Sequence, residues 1–342
     1  MAKEVAGPPG AVSVVIVAYR SGPALGRCLE ALRQGAPEAE VIVVDNGGAE
    51  DDIEERWDGL RVVAPGENLG FAAGANRGAA EAENDVLVFL NPDTVVAAGA
   101  LQRLARTLGD PEIGIAMARL CLLDQAELLN SGGTVVHVSG LAWAGRFGEP
   151  VATITALEDV AGASGAALAI RRETFLALRG FTGELFMYQE DVELSWRAHL
   201  HGLRVVVDPR ADVFHEYEFG RNPTKIALLE RNRLIFVLTA YSLRLLLLLG
   251  PMLALGELAM LALAARRRWF RGKLGGWWWL LRHTRWLVRH RGETQRLRKV
   301  RDRELARFLT ATLDPKVAAL PRGIGLLNRL LGPYWSLARR AL

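Results

Sequence analysis

The strongest constraint on the fold is a short run of apolar, mostly β-branched residues that recurs along the N-terminal part of the chain. Residues 12–19 form the first run, and residues 41–44, 61–63 and 85–90 repeat the pattern. Such runs are typical of strands buried on both faces of a parallel sheet. We therefore predict an α/β fold with a mostly parallel central sheet flanked by helices.

The residues between these runs predict helices and one glycine-rich turn. Pro23 suits a first helical turn, and it is followed at helical spacing by the apolar residues Leu25, Cys28, Leu29 and Leu32. After the third run, Gly70 and Gly74 permit a tight turn, and the helix behind them offers N–H groups to an anion. A purely structural turn is the alternative, because the spacing matches neither a P-loop nor a dinucleotide fingerprint.

Polar side chains follow the second and fourth runs, at the carboxyl ends where open α/β sheets bind ligands. Asp45 and Asn46 end one run, and Asn91, Pro92 and Asp93 end the other. Pro92 stops the strand, so Asp93 lies in a constrained turn. Asp93 either caps a helix predicted over residues 95–108 or binds a ligand, and the two roles are compatible. A carboxylate beside an amide suits Mg²⁺ or Mn²⁺ shared with substrate phosphates.

A second acidic site begins a predicted helix further along. Glu190 and Asp191 are adjacent there, and the helix dipole favours ionised carboxylates at that end. The pair is suited to general-base catalysis, although acidic residues in first turns often act only as caps. Arg197 on the same helix either pairs with a carboxylate or is solvated. The small residues 161–167 allow a close approach to a sugar or simply form a turn.

These residues form an ordered set that resembles the family-two inverting glycosyltransferases of GT-A fold, especially the bacterial rhamnosyltransferase-like branch. The resemblance covers about residues 12–240. It rests on residues 14–19 (VVIVAY), 43–46 (VVDN), 68–76 (NLGFAAGAN), 90–93 (LNPD) and 162–165 (GASG), on Glu190 with Asp191, and on His215. It implies a GT-A catalytic domain over residues 1–233, with a nucleotide-sugar half at about 12–118 and an acceptor half at about 119–233. Residues 234–342 would form a helical, membrane-associating appendage.

The resemblance also implies roles for single residues. The donor nucleotide would contact Ala18, Tyr19, Asp45, Asn46, Asn68, Gly74, Asn76 and Asn91. The metal, Mg²⁺ or Mn²⁺, would be bound by Asp93 and His215, with Asn91 standing where the family's Asp-x-Asp signature has its first aspartate. Asp191 would be the catalytic base, and the acceptor would contact Glu190, Gly165 and Arg197.

The implied reaction is transfer of one sugar, with inversion, from a nucleoside diphosphate donor to a hydroxyl of a lipid-linked or glycan acceptor. Rhamnose from a dTDP donor is the first choice, and a UDP-hexose is the alternative. Single-sugar addition follows because the Gln-x-x-Arg-Trp signature of processive synthases is replaced by Ser195-Trp196-Arg197. A catalytically silent nucleotide-sugar-binding protein remains an alternative. A nucleotidyltransferase is disfavoured, because its glycine-rich loop is missing after the first run.

The C-terminal part differs sharply in composition. Residues 266–342 hold 20 Lys and Arg against 4 Asp and Glu, and six of the nine tryptophans. Before them, residues 245–265 are apolar except for Glu257, with Pro251 inside. The segment nearly suffices to span a bilayer, but the interruptions favour a helical hairpin, a re-entrant piece or interfacial helices. Arginine with tryptophan suits anionic headgroups.

We expect this region, over about residues 234–290, to attach the protein to the cytoplasmic face of the cell membrane. Packing on the catalytic domain or on a second subunit is the alternative, and nucleic-acid binding is disfavoured because the tryptophans cluster beside leucines. Only two cysteines, Cys28 and Cys121, and no recognisable leader predict a reducing, cytosolic setting.

Overall fold

The structure is a computed structural model that describes residues 11–48, 53, 57, 59–216, 223–267, 269–313 and 324–342. The chain forms two compact units. The first consists of Met1–Thr134, Ala144–Ala198 and Leu203–Glu218, and the second of Val135–Trp143, His199–Gly202 and Phe219–Leu342. The domain boundary predicted after residue 233 lies inside a helix of the second unit, and the division into catalytic and membrane-associating domains stays a prediction.

The strands are β1 (Val12–Ala18), β2 (Glu40–Asp45), β3 (Leu60–Val63), β4 (Val86–Leu90), β5 (Thr94–Val96), β6 (Ile113–Leu122), β7 (Leu129–Ser131), β8 (Thr134–His137), β9 (Ala142–Ala144), β10 (Glu158–Asp159), β11 (Ala167–Arg171), β12 (Arg204–His215) and β13 (Leu309–Thr310). The helices are α1 (Gly22–Gly35), α2 (Gly70–Glu81), α3 (Ala100–Thr107), α4 (Arg172–Ala177), α5 (Glu190–Leu200), α6 (Pro223–Ala240), α7 (Leu243–Arg266), α8 (Phe270–Arg282), α9 (Thr284–Arg296), α10 (Asp302–Leu305) and α11 (Ile324–Arg340).

The first unit is built on one mixed sheet in the order β10-β12-β6-β11-β4-β1-β2-β3, with β5 beside β12 and β7 beside β6. β1 pairs in parallel with both β2 and β4, whereas β11 runs antiparallel to β4 and β6. The chain winds from β1 to β2 and β3 on one side, and β4 then lies on the other side of β1. The carboxyl ends of β1, β2 and β4 therefore border the crevice where ligands bind in such sheets.

The predicted strands and the first helix are confirmed. Every residue of β1 is buried, as expected of a central parallel strand. In α1, the apolar face contributes Leu25, Cys28, Leu29 and Leu32 to the core. The helix that follows Gly70 is α2, and the acidic pair begins α5.

The helix predicted over residues 95–108 is partly wrong. Thr94–Val96 forms β5, whose residues pair with the end of β12, and the helix starts only at Ala100 with Gly99 as its N-cap. Asp93 therefore does not cap a helix. Residues 94–96 are β-branched, and their main-chain groups form hydrogen bonds with a strand that is distant in the sequence. The helical spacing of the apolar residues in this segment gives no sign of that pairing.

The second unit is mainly helical. α6 packs against α8 and α9, and a small sheet is formed by β13, β8 and β9. Residues 243–266 form a single continuous helix, α7, that contains Pro251. The alternative of a helical hairpin within this segment is therefore wrong.

Candidate active site

The carboxyl ends of β1 and β2 bring together the first predicted nucleotide residues. Ala18 lies beside Asp45 in the parallel register, and its main-chain oxygen accepts a 2.8 Å hydrogen bond from Asn46 N–H. Asp45 Oδ1 accepts a 2.8 Å bond from Gly47 N–H, which shapes the turn. The side chain of Tyr19, 47% exposed, borders the same turn. These residues share one edge of the sheet, as a nucleotide site requires.

Asn46 joins this edge to the glycine-rich turn. It is 3% exposed, and its Nδ2 donates a 2.9 Å hydrogen bond to Gly70 O. Asn68 Oδ1 in turn accepts a 2.9 Å bond from Gly70 N–H. Asn46 Oδ1 is buried without a hydrogen-bond partner among the described residues. A buried acceptor without a partner is costly, so this atom is available to a donor group on a ligand.

Gly70 is required by both its conformation and its surroundings. Its φ is +74°, and a Cβ there would overlap the main-chain oxygen and the ring of Phe186. The same oxygen accepts a 3.1 Å hydrogen bond from Ala72 N–H. Gly70 thus allows the start of α2 to contact the segment that leads to the acidic pair.

Replacing Gly70 with Ala is expected to destabilise the protein by about 2–4 kcal/mol, because it combines a left-handed backbone with a main-chain overlap. Gly66→Ala is the matched control, since Gly66 has φ +83° but nothing within 4 Å of its Cβ position. It should cost only about 1 kcal/mol. Thermal unfolding of both variants measures the difference, and equal losses would show that the Phe186 contact is unimportant.

Gly74 and Asn76 lie on α2 with protein atoms around them. Gly74 is buried, and its Cβ position lies 3.0 Å from a Val17 methyl group and 3.2 Å from Asn46 Nδ2. The amide of Asn76 bonds to the main chain of Phe181 on both sides, at 2.8 Å each. These contacts hold α2 against neighbouring segments, and a nucleotide contact of either residue stays a prediction.

Asp93 and His215 meet where β5 pairs with β12. His215 Nε2 lies 3.2 Å from Asp93 Oδ1 and 3.5 Å from Asn91 Nδ2. His215 Nδ1 lies 3.2 Å from Oδ1 of Asn130, which is itself 3% exposed. In the tautomer that donates from Nδ1 to Asn130 Oδ1, Nε2 carries the lone pair on the side of Asp93.

This arrangement fits a divalent cation. Asp93 Oδ1 is buried and accepts no hydrogen bond of good geometry from the described residues, so in that tautomer two electron-pair donors face each other. A cation between them would relieve that repulsion. Within the described ranges, no three His, Cys, Asp or Glu side chains cluster closely enough to hold a metal. The remaining ligands would therefore be donor phosphates and water, as Mg²⁺ prefers.

Asp191 is held by main-chain groups at the start of α5. Its Oδ2 accepts a 2.8 Å hydrogen bond from Gly165 N–H, and its Oδ1 a 2.7 Å bond from Val192 N–H. Burial raises the pKa of Asp191 above its ordinary range, while these N–H groups oppose the shift. Glu190 is 6% exposed, and its Oε2 has no partner within the part of the chain described. Burial, and then the charge of Asp191, raises the pKa of Glu190 well above its ordinary value.

The two carboxylates therefore have different surroundings. Two N–H donors favour the ionised form of Asp191, whereas Glu190 is buried and takes the first proton of the pair. The backbone before them is strained, because Phe186, Tyr188 and Gln189 have φ of +65°, +73° and +73°. Such strain is concentrated at functional sites, where surrounding structure enforces it.

The acidic site is linked to the Asp93 site through adjacent strand ends. Asn91 N–H donates a 3.0 Å hydrogen bond to Ala166 O, at the antiparallel junction of β4 and β11. Ala166 follows Gly165, which holds Asp191, while Asn91 contacts His215 beside Asp93. A short path of hydrogen bonds and one peptide link thus leads from Asp191 to His215, which lies beside Asp93.

Comparison with known proteins shows the family to which part of the chain belongs. Residues 13–175 match the protein-family model of glycosyl transferase family 2. Residues 13–175 belong to that family. The chain is accordingly a glycosyltransferase that uses a nucleotide-sugar donor, as the sequence predicted.

Two curated relatives and one solved structure extend the comparison. An N-acetylglucosaminyl-diphospho-decaprenol L-rhamnosyltransferase of Mycobacterium tuberculosis is 28% identical over 67% of this chain and 84% of its own length. A pre-mycofactocin glycosyltransferase of the same species is 28% identical over 60% of this chain and 43% of its length. GalNAc-T7, crystallised with UDP, GalNAc and Mn²⁺, is 21% identical, with a TM-score of 0.57 over 67% of this chain and 48% of that chain. The last likeness confirms the GT-A fold.

Arg197 of this glycosyltransferase lies inside the protein. It is 2% exposed, and its Nη2 bonds at 2.6 Å to Glu193, which is fully buried. The guanidinium also donates to the main-chain oxygens of Leu178 and Gly180. Pairing with a carboxylate is thus confirmed and the solvated alternative is wrong. A side chain so enclosed is out of reach of an acceptor, so the burial of Arg197 conflicts with its predicted acceptor contact.

Sequence reasoning missed Asn130. It lies in β7, 85 positions before His215, outside the motifs on which the resemblance rests. The only local signal is an amide within a short buried strand, where an unpaired polar side chain is unfavourable. Its partner is visible only after β7 has paired with β6 and β6 with β12.

Proposed function

We propose that this glycosyltransferase transfers a single rhamnose from dTDP-rhamnose, with inversion and with Mg²⁺ or Mn²⁺, to a hydroxyl of a lipid-linked acceptor. The observation that carries the reaction type is the position of Asp191, whose carboxylate accepts a hydrogen bond from Gly165 N–H, one residue before Ala166, which bonds to Asn91. The sugar and the acceptor are supported by the L-rhamnosyltransferase relative, which is named for N-acetylglucosaminyl-diphospho-decaprenol, a lipid-linked sugar.

The reaction follows from the position of the charges. Asp191 takes the proton of the acceptor hydroxyl while that oxygen attacks C1 of the donor sugar. The bond between C1 and the phosphate oxygen breaks on the opposite face, so the configuration at C1 inverts and a nucleoside diphosphate leaves. Asp93 and His215 would hold a divalent cation, which stabilises the negative charge on that leaving group. Glu190, protonated beside Asp191, would donate a hydrogen bond to an acceptor hydroxyl.

The nucleotide would lie along the strand ends that carry Tyr19, Asp45 and Asn46. The unpartnered Asn46 Oδ1 supports this placement, because a nucleotide N–H or ribose O–H would satisfy it. Asn68 and Gly70 would shape the turn beside the diphosphate through their hydrogen bond. Gly165, whose Cβ position meets the Phe71 ring at 3.5 Å, would border the acceptor side.

The donor is tested by thermal unfolding with a panel of nucleotide sugars. dTDP-rhamnose at tens of times its Kd is expected to add about 2 kcal/mol to the free energy of unfolding. The increase should require Mn²⁺ or Mg²⁺ and vanish with EDTA. UDP-glucose, UDP-N-acetylglucosamine and GDP-mannose are the comparison donors. Stabilisation by a UDP sugar and not by dTDP-rhamnose would contradict the choice of rhamnose while leaving the reaction type intact.

The working location we propose is the cytoplasmic face of the cell membrane, where a lipid-linked acceptor is presented. Within the described residues, one helix is long and apolar enough to cross a bilayer, Leu243–Arg266, with a mean hydropathy of 2.1 in its most apolar window. Only 17% of that window is buried in the protein. A helix so exposed and apolar is unfavourable in water, which supports contact with lipid.

A further inference from the structure

Helix α7 has one solvent-accessible face and another face that packs against helices of the second unit. We infer that α7 lies flat in the interface of an anionic bilayer and does not cross it. The inference concerns the second unit alone and is independent of the proposed sugar and acceptor. It rests on the chemistry of the two faces.

The exposed face of α7 is entirely apolar over its central part. Between residues 245 and 265, the exposed positions are Leu247, Pro251, Ala254, Leu255, Leu258, Ala259, Ala262 and Ala265. The largest of these side chains, Leu247, Leu255 and Leu258, are 71%, 68% and 63% exposed. Charged residues occur only at the ends of this face, as Arg244 and Arg266. Such a stripe is suited to hydrocarbon, with cations at its ends suited to phosphate headgroups.

The opposite face carries Glu257, which is bound by the neighbouring helices. Its Oε1 pairs with Arg233 of α6, and its Oε2 lies 2.8 Å from Lys273 Nζ of α8. Trp277 Nε1 donates a 3.1 Å hydrogen bond to the same Oε2. Burial would raise the pKa of Glu257, but Arg233 and Lys273 lower it below its ordinary value. The carboxylate is therefore ionised and fixed within the unit.

The partners of Glu257 are themselves buried. Lys273 is 1% exposed and lies 2.6 Å from Glu230 Oε2, and Arg233 lies 3.1 Å from the same oxygen. Two acids and two bases thus form one neutral cluster across α6, α7 and α8. Removing Glu257 would leave two buried cations with Glu230 as their only carboxylate in this cluster, which is strongly unfavourable.

A spanning arrangement is incompatible with this cluster. Glu257 lies about 21 Å along the helix from Leu243 and about 14 Å from Arg266, so in a span it would lie within the hydrocarbon. A spanning α7 would either break the ion pairs of Glu257 with Arg233 and Lys273, or place both cations and Glu230 inside the bilayer. Lying flat, α7 retains the cluster on one face and buries the other face in lipid.

The positive charge of the second unit favours anionic lipids. Helix α8 has its own exposed apolar positions, Phe270, Leu274, Trp278 and Leu281, and Arg282 lies 5.9 Å from the Trp278 ring. Residues 266–342 carry a net charge of +16 from Lys, Arg, Asp and Glu. Tryptophan and arginine together at an exposed apolar surface suit anionic headgroups. Binding should therefore require an anionic lipid and weaken with salt.

The docking surface is tested on the full chain with vesicles of phosphatidylcholine containing one third phosphatidylglycerol. Leu255→Glu is expected to weaken vesicle binding by about tenfold to a hundredfold, the loss for one buried leucine. Leu176→Glu is the matched control, because Leu176 of the first unit is 67% exposed against 68% for Leu255. Unchanged binding of the Leu255 variant would overturn the proposal. A second result would also overturn it: neither the unmodified protein nor the Leu255 variant binds vesicles, and the variant is a monomer where the unmodified protein is a dimer. The apolar face would then contact a second copy of the chain.

The flat orientation has a separate test by cysteine labelling. Arg244→Cys and Arg266→Cys place thiols at the two exposed, charged ends of α7, at the level of the headgroups and outside the apolar stripe, while native Cys28 and Cys121 are buried. A membrane-impermeant maleimide outside sealed vesicles should label both ends if α7 lies flat. Labelling of one end only, until detergent is added, would show a spanning helix and overturn the inference. Protection of both ends would also overturn it. Donor binding is measured on the same samples, so a failure here is distinct from a failure of the proposed reaction.

Discussion

Replacing Asp191 with Asn is expected to lower kcat by about 10²–10⁴-fold while the Kd for the donor stays nearly unchanged. The amide has the size of the carboxylate, and its oxygen still accepts a hydrogen bond from Gly165 N–H. It cannot take the proton of the acceptor hydroxyl. Release of nucleoside diphosphate in the presence of acceptor measures turnover, and thermal unfolding with donor and Mn²⁺ measures binding.

Two variants serve as controls for this result. Asp85→Asn makes the same chemical change at an exposed position before the amino end of β4, at the opposite edge of the sheet from the site, and should retain full activity. Glu190→Gln removes the neighbouring carboxyl group but keeps Asp191, so turnover should persist with a raised KM for the acceptor. If Glu190→Gln abolishes turnover and Asp191→Asn does not, the base has been assigned to the wrong member of the pair.

The pH dependence gives the same assignment independently. Burial raises the pKa of Asp191, and the reaction needs its ionised form, so kcat/KM should fall as the pH decreases through that raised pKa. The fall should occur at a higher pH than for an ordinary aspartate. Glu190→Gln should keep this acid limb, whereas the residual activity of Asp191→Asn should lack it. An identical acid limb in all three proteins would show that another group titrates.

Replacing Asp93 with Ala is expected to lower kcat/KM by about 10²–10³-fold, the usual cost of removing one group that stabilises charge in a transition state. The physical reason is the loss of the carboxylate oxygen that faces His215 Nε2 at 3.2 Å. The measurable signature besides activity is loss of the Mn²⁺-dependent part of donor-induced thermal stabilisation. Donor binding without metal should change little.

Asn130→Ala separates a metal ligand from the residue that orients it. Asn130 contacts His215 Nδ1 on the side of the ring away from Asp93, so its loss should weaken apparent Mn²⁺ affinity by about 10–100-fold. Saturating Mn²⁺ should restore most of the activity of Asn130→Ala but not of Asp93→Ala. Full activity of Asp93→Ala with EDTA present would contradict a metal-dependent reaction.

The parts of the fold that the sequence predicted are those set by local patterns. The buried run at residues 12–18 and the helical spacing of Leu25, Cys28, Leu29 and Leu32 are confirmed. Asp45, Asn46 and Asp93 directly follow apolar runs in the sequence. Their place at strand ends could therefore be predicted without a structure. Their functions as ligands stay predictions that the variants above test.

The errors and omissions concern non-local pairing. Thr94–Val96 was assigned to a helix, but these residues pair with β12, more than a hundred positions away. For Arg197 the sequence allows either a salt bridge or a solvated side chain, and the packing of α5 buries it in a salt bridge with Glu193. The neutral cluster of Glu230, Arg233, Glu257 and Lys273 was not foreseen, because its members are spread over three helices.

The sequence alone determined the fold class, the edge of the sheet where polar residues collect, and the family of transferases. Each depends on the spacing of residues along the chain. That spacing determines strands, helices and strand ends directly, because local backbone preferences and the burial of apolar runs act on neighbouring residues. Only the tertiary structure decided which polar atoms meet: Asp191 with Gly165 N–H, His215 between Asp93 and Asn130, and Glu257 between Arg233 and Lys273. Such contacts depend on register and helix packing, which bring together side chains too far apart in the chain for any local pattern to relate them.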